Sequence, residues 1–441
     1  MVNELRELLH DNAAHPPHED RDLGAVLRGG RRRVHRRRLG IAGGTAVAAV
    51  SVIGLASVVW PSPPDLTAAG VPAPDAPTLR LADAREAVEG RDYTVLTSYT
   101  NEDLDADNGQ YLDGVTDDGL VLFRDGPRSE QPWPRYALLD PATGGKDWLP
   151  APDVGQATLE PVDLGEDRLV LAGMAGGGMR ADVVAHVFDR GLGAWTTTRW
   201  ADLPRVEQPG SAVLGPDDRL YVSVPNTQGQ PPEGGWPTSP GGEADDADAE
   251  GDTYRLWSAS LTDPDDVRDE GLTVGDVAFT DTSMVWTDRT NGDSGRVHVR
   301  DLATGEEEAF DPRSGARCNL LSFGATADRV VLGQYCGTYD GVRDDRVQVL
   351  STEGDQVVTV QDSDIDGGLG VGSDVVTVTS YQRGGAGTYI YDLANDRFLR
   401  VSDDVSSWAT GGPTQPDQVL WGTPVNRGHG ATQWLGELVR P

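Results

Sequence analysis

An apolar triplet preceded by an Asp-bearing turn recurs seven times in this 441-residue chain, and that repeat limits the fold more than any other feature. The turns are TDDG before Leu120, GEDR before Leu169, PDDR before Leu220, TDTS before Met284, TADR before Val330, GSD before Val375 and PDQ before Val419. Successive triplets are 49, 51, 64, 46, 45 and 44 residues apart. A second phrase accompanies them: YALLDPATGGKDW, AHVFDRGLGAW, RLWSASLTDPDD, VHVRDLATGEE, VQVLSTEGDQ and TYIYDLANDRF. Each phrase reads as a strand, a tight turn in which Asp bonds its own backbone and Gly takes positive φ, and a further strand. A unit of about 45 residues built this way is a four-stranded antiparallel meander, the size of one blade of a radial all-β fold. The expectation is therefore an all-β, seven-bladed β-propeller over 91–441, with six or eight blades as the alternative counts.

The ends of the repeat pose an edge problem. After the seventh triplet one strand remains, around 432–439, so that blade lacks its outermost strand, while a spare strand, YTVLTSYT at 93–100, precedes the first unit. Pairing the two would close the ring and remove both free edges. The one long step contains 226–252, NTQGQPPEGGWPTSPGGEADDADAEGD, which has no strand pattern and reads as a solvated, disordered inserted loop.

These phrases resemble those of the WD40, quinoprotein-like and TolB-like propeller families. YALLDPATGGKDW, with Asp140, Gly144 and Trp148, is nearest to a quinoprotein-type blade signature. The other phrases drift from it, and no Gly-His or Trp-Asp pair marks a WD40 blade. The resemblance implies a bacterial extracytoplasmic propeller.

Ahead of the repeat, 39–60 reads LGIAGGTAVAAVSVIGLASVVW, 22 uncharged residues, directly after RRRVHRRR at 31–38. About 20 apolar residues in a helix rise roughly 30 Å, enough to cross a bilayer. The Arg cluster on its N-terminal side assigns 1–38 to the cytoplasm and the remainder to the exterior. A cleaved signal peptide, with Gly54 and Ala56 before the cut, is the competing reading; the leader and the apolar run are both long for it. No Cys follows the run to carry a lipid. Gly40 and Gly44 form a GxxxG pair, either a helix-pairing face or small residues tolerated in lipid. The tail carries Leu5, Leu8 and Leu9, then Leu23, Val26 and Leu27, at helical spacing. It resembles, weakly, membrane-bound regulators of bacterial extracytoplasmic-function sigma factors, which implies a cytoplasmic protein partner for 1–38; a disordered topogenic tail is the alternative. The segment 61–90, Pro-rich at its start, reads as an extended spacer with a short helix over 79–88.

Charge excludes a class of function. The tail 1–38 has nine Arg and six acidic residues, a net +3, so the rest must hold −37 of the total −34. Such a field repels nucleic acid and anionic lipid, and no nucleic-acid partner is expected.

Few constellations offer chemistry. Cys318 and Cys336 are the only cysteines, each nine residues from Ala327, where a hairpin turn would place them opposite one another. An exported domain would oxidise them to a disulfide. Asp362, Asp364 and Asp366, followed by Gly367, alternate as in calcium loops, but Ser373 stands where a bidentate Glu would be needed. They are the candidate calcium ligands, with solvated acidic turns as the alternative. Asp103, Asp105 and Asp107 repeat the alternation. His186 and His298 occupy one place in two repeats, a structural strand position. The Gly292-Asp293-Ser294-Gly295 run matches the nucleophile motif of chymotrypsin-like proteases, but it falls in a loop between blade strands and reads as a turn. No catalytic residue and no cofactor is assigned. The sequence thus points to a non-enzymatic, single-pass cell-membrane protein displaying a propeller that binds an extracytoplasmic ligand or protein. The alternatives are a transmembrane regulator acting through its tail, and an envelope hydrolase or lyase on the same scaffold.

Overall fold

The computed structural model describes residues 76–104, 109–126, 133–152, 158–175, 181–206, 212–232, 236, 245–312, 318–339, 342–369, 373–382, 384–406 and 412–440. The expected cytoplasmic tail and transmembrane helix, 1–38 and 39–60, lie outside the described residues; among those described, no helix is long and apolar enough to cross a membrane.

Seven antiparallel sheets follow one another in chain order and form the seven blades. Each apolar triplet lies in a central strand of its blade, the first beginning one residue ahead of it at Leu120: Val121–Asp125, Arg168–Ala175, Arg219–Thr227, Ser283–Thr287, Arg329–Tyr339 and Val375–Ser380, each second in its sheet, and Gln418–Val425, the innermost of the three described strands of blade 7. Packing explains why these strands read as continuous apolar runs. Strand residues alternate between faces, and here each face meets a different neighbouring blade. Leu169 and Leu171 join a cluster with Leu122 and Tyr136 of blade 1. Val170 and Ala172, one residue out of phase, join Leu220 and Val222 of blade 3. Tyr221 turns instead to Met284 and Trp286 of blade 4, and Val285 to Val330 and Leu332 of blade 5. Val331 packs with Val376 and Val378, Val375 with Val419 and Trp421, and Leu420 returns to Val121 and Phe123 of blade 1. Seven apolar clusters thus fill seven blade-to-blade interfaces. Burying each large side chain contributes about 1.5–3 kcal/mol, so a blade stripped of either neighbour loses much of its core.

The ring closes as its edges require. Tyr93–Asn101 pairs antiparallel with Gly430–Leu438, which pairs with Gln418–Val425, so the N-terminal strand is the outer strand of blade 7. Ser406 N donates to Gly422 O at 2.9 Å and Val115 N to Pro413 O at 2.7 Å, which sets the segment entering blade 7 between its second strand and blade 1.

The chain before the closing strand departs from expectation. In place of a helix over 79–88 there are two short strands around one 3-10 turn, Leu81–Asp83. Thr78–Leu79 adds in parallel to the outer strand of blade 5, Gln356–Asp362, and Arg85–Glu86 to that of blade 6, Arg397–Arg400. Leu81 inserts into the cluster between these blades, and Arg80 donates to Gln361 O at 2.9 Å. The outer strands offer unpaired backbone groups, and a ten-residue helix on its own is marginal in water, so pairing with the blade edges wins.

The disulfide forms as the hairpin predicted: Cys318 and Cys336 are bonded, one pair beyond Asn319 and Tyr335 in register.

Candidate functional site

In a four-stranded meander the first and third turns fall at one end of the blade, and the second turn and the link to the next blade fall at the other. All the Asp turns therefore gather on one face. They are short and internally bonded: Asp140 accepts from Ala142 N at 2.8 Å, Asp189 from Leu192 N at 2.8 Å, and Asp301 from Thr304 N at 2.7 Å. Gly144, Gly193 and Gly305 take the positive φ these turns need. Arg190 pairs with Asp118 at 2.7 Å and Arg168 with Asp218 at 2.5 Å, tying blade 2 to blades 1 and 3. The opposite face carries the long connections, including the insertion of blade 3.

That insertion is not wholly the solvated loop its composition predicts. Asn226 and Thr227 continue the second strand, and the third strand, Glu250–Ser260, begins inside it. Asp246, Ala247 and Ala249 are buried. The returning strand pairs on a second side with Thr290–Gly292 of blade 4, Glu250 against Gly292 and Asp252 against Thr290. Glycine makes this crossing possible: a Cβ on Gly292 would lie 2.3 Å from Gly251 N and 2.5 Å from Ala249 O. Asn291 between them adopts φ 55°, a left-handed conformation that Asn tolerates.

A pocket of about 210 Å³ lies where the insertion meets blade 4, lined by Gln228, Gly229, Trp236, Asp246, Ala249, Asp252 and Asn291. Asp252 is fixed from two directions, accepting from Gly229 N at 2.9 Å and from Asn291 Nδ2 at 2.7 Å. Asn291 Oδ1 is buried and accepts no hydrogen bond from the described residues. Next to the pocket, Thr290 Oγ1 donates to Asp276 at 2.6 Å. Withdrawal of the Asp276 carboxyl from water pushes it up to about 6; the Thr290 bond acts the other way, and Asp252 adds to the rise. Burial also raises the Asp246 carboxyl. Burial pushes the Tyr254 phenol up to about 12, with Asp252 and Asp276 contributing.

The residues singled out from sequence do not meet here. Asp362 ends the outer strand of blade 5 and accepts from Leu81 N at 3.1 Å and Ser363 N at 2.9 Å. Asp364 is the turn residue, at φ 54°, and its N–H donates to Asp345 at 2.9 Å. Asp366, exposed, lies in the inner strand of blade 6, Ile365–Leu369. Their alternation serves a turn and the N-terminal segment. Among the described residues no group of three or more His, Cys, Asp or Glu side chains is placed to hold a metal ion. Of the second alternating set, Asp105 and Asp107 lie outside the described residues. His186 is fully buried, with Nδ1 2.9 Å from Thr197 Oγ1. His298 stacks on Trp286 and meets Asp288 at 2.8 Å and Glu307 at 3.4 Å. Ser294 of the GDSG run is buried, and its Oγ donates to Gly295 O at 3.4 Å.

Sequence reasoning missed Gln228, Trp236, Asp246 and Asp252. The one local signal was the Gly251-Asp252 pair closing the acidic run, a glycine where backbone must pass backbone.

No family model and no curated protein matches the sequence. Among solved structures, the chain is similar to the uncharacterized protein lmo1340 from Listeria monocytogenes EGD-e, at 8% identity over 79% of this chain and 92% of that one, with a TM-score of 0.41. It is also similar to the β-propeller domain of Myceliophteria thermophila Cps50 (Swd1), at 12% identity over 74% and 99% with a TM-score of 0.39. A third is the β-propeller domain of the Trilobed protease from Pyrococcus furiosus, at 10% identity over 60% and 77% with a TM-score of 0.37. Propellers are among these structures, but no functional reading rests on such remote likenesses.

Proposed function

We propose that this chain is a binding or sensing protein of the cell envelope: a propeller held outside the cell by a single membrane span at 39–60, taking its ligand on the loop-bearing face. The observation that supports binding there is the contrast between the faces. One carries short, self-bonded Asp turns, whereas the other gathers the long connections and holds a polar pocket at the junction of blades 3 and 4. The membrane part rests on the Arg-flanked apolar run and on the two cysteines, whose disulfide suits an oxidising compartment.

Two measurements test it. With epitope tags at both ends, protease added to intact spheroplasts should remove the C-terminal tag and spare the N-terminal one; the reverse pattern would sink the topology. A thermal-shift screen with small molecules and envelope extracts, with and without calcium, should find a stabilising ligand whose effect Trp236→Ala abolishes. Turnover of an envelope substrate, lost on changing a pocket residue, would replace binding by catalysis.

The paired leucine segments of 1–38 extend the reading to regulation through a cytoplasmic partner. A pull-down with the tail that recovers no partner, together with unchanged transcription on deleting it, would remove that extension.

A further inference from the structure

We propose that the outer edge of blade 4 is the docking site for residues 69–72 of this same chain, which add one more parallel ladder to the rim segment, Gly70 against Ala309 and Val71 against Phe310. The pitch of the rim segment places them there. Thr359 of blade 5 and Arg400 of blade 6 hold equivalent positions: they pair with Gln348 and Tyr389, each three residues before the residue that opens the turn, Ser351 or Asp392. Thr78 lies opposite the first and Glu86 opposite the second, so the chain advances one blade in eight residues. Leu79 packs on the cluster between blades 5 and 6, and Ala87, eight residues on, packs on that between blades 6 and 7. The sequence carries this period one step further back. VPAPDAPT at 71–78 aligns with LRLADARE at 79–86, Val71 on Leu79, Asp75 on Asp83 and Ala76 on Ala84. Toward the N-terminus the segment passes from blade 7 to 6 to 5, and the next edge in that direction is that of blade 4.

The edge itself presents the matching groups. Ala309 pairs with His298, three residues before Asp301, and is thus the counterpart of Thr359. Asp301 N donates to Glu306 O at 2.9 Å, and bonded pairs alternate along an antiparallel ladder, so Glu308 and Phe310 bond inward to Val299 and Val297. The Ala309 N–H and C=O therefore point out of the blade, as do those of Thr359, whose N–H donates to Pro77 O at 3.0 Å. Among the described residues no strand lies beside Glu307–Phe310; the Arg296 guanidinium reaches the Ala309 carbonyl, which keeps a second lone pair. Phe310, half-buried, packs on the cluster between blades 4 and 5, and no described rim side chain covers that cluster as Leu79 and Ala87 cover the next two. The prolines fit as well. A parallel ladder at Ala309 needs the carbonyl of residue 69 and the N–H of Val71, and neither is lost to a proline. Pro72 falls where Arg80 stands, whose N–H serves Asp83 of its own turn at 2.7 Å and not the blade.

The test uses the purified full chain. Cys318 and Cys336 are bonded to each other and buried, so a new pair of cysteines is read without interference. Gly70→Cys with Ala309→Cys should oxidise within the monomer at least tenfold faster than Gly70→Cys with Glu307→Cys, where the second cysteine stands two residues, about 6.6 Å, along the strand. In the unmodified protein the Ala309 amide should exchange at least tenfold more slowly than in Val71→Asp, and Val71→Leu should restore the protection. The Thr359 amide, in the ladder of blade 5, should keep its protection in every variant, which shows the ring intact. Equal oxidation at 309 and 307, or none at either, overturns the proposal. A bond that joins two chains, seen as a dimer on a non-reducing gel, overturns it in favour of a second copy on the edge. Ala309 protection that ignores Val71→Asp overturns it too, because something other than this segment then covers the edge.

Discussion

Locking the closing strand of blade 7 should stabilise the whole ring. Thr100 and Thr432 are direct partners across the pair formed by the N-terminal and C-terminal strands, and their hydroxyls lie 2.8 Å apart. Cysteines at both places would have their sulfurs within bonding reach without backbone movement. The bond would close a loop of 332 residues. Chain-entropy arithmetic for such a loop gives a ceiling of about 6 kcal/mol, and engineered bonds commonly deliver about 2–4. At about 2.1 cal/mol/K per residue, the roughly 360 residues of the propeller unfold with about 0.8 kcal/mol/K of entropy, so 3 kcal/mol is a rise of about 4 °C. The comparison is calorimetry of oxidised Thr100→Cys/Thr432→Cys against Thr100→Ser/Thr432→Ser, with bond formation checked by intact mass. If the bond forms and the melting temperature moves by less than about 1 °C, the closing strand is not part of the cooperative unit, and the view of seven mutually dependent interfaces is wrong.

Three further outcomes are expected. Replacing Cys318 and Cys336 together by Ser releases a loop of 18 residues and should cost about 3 kcal/mol, read as a lower denaturant midpoint at unchanged slope. Asp276 sits at about 6 in the fold against about 3.9 when unfolded, so the native state binds the extra proton and stability falls as pH rises from roughly 4 to 6. Asp276→Asn should remove that fall, gaining up to about 3 kcal/mol at pH 7 relative to pH 4; parallel stability curves for the two proteins would contradict the assignment. Gly367→Ala would set a Cβ 1.8 Å from Val347 Cγ2 across the interface of blades 5 and 6 and should cost about 1–3 kcal/mol. Val347→Ala in the same chain should recover part of that loss, a coupling a double-mutant cycle can measure.

The blades were legible because their second strands are buried on both sides, so Val330, Val331 and Leu332 must all be apolar although they face different neighbours. The turns were legible because Asp301 and Gly305 act within five residues of each other. Ring closure followed from counting edges. The pocket was hidden for the opposite reason: Asp252 meets Gly229 and Asn291 across 23 and 39 residues, and nothing local to any of them announces the meeting. Composition could not show that Ala247 and Ala249 would be covered once the segment lay against its neighbours. The run 79–88 looked helical because its own residues permit a helix, whereas two open strand edges decided otherwise.

The way the chain enters the ring has a mechanical consequence. From Thr78 to Asn101 it lies along the rim of three successive blades, held first by two two-residue parallel ladders and only then by the nine-residue strand that completes blade 7. Arg85 and Arg91 both grip Asp92 just ahead of that strand, at 2.7 and 2.8 Å. A force applied to the chain ahead of Thr78 would meet the short ladders first and the Asp92 knot next, before it reached the closing strand. The rim segment would thus act as a fuse, placing two short ladders and one ionic knot between any force applied ahead of Thr78 and the strand that closes the ring.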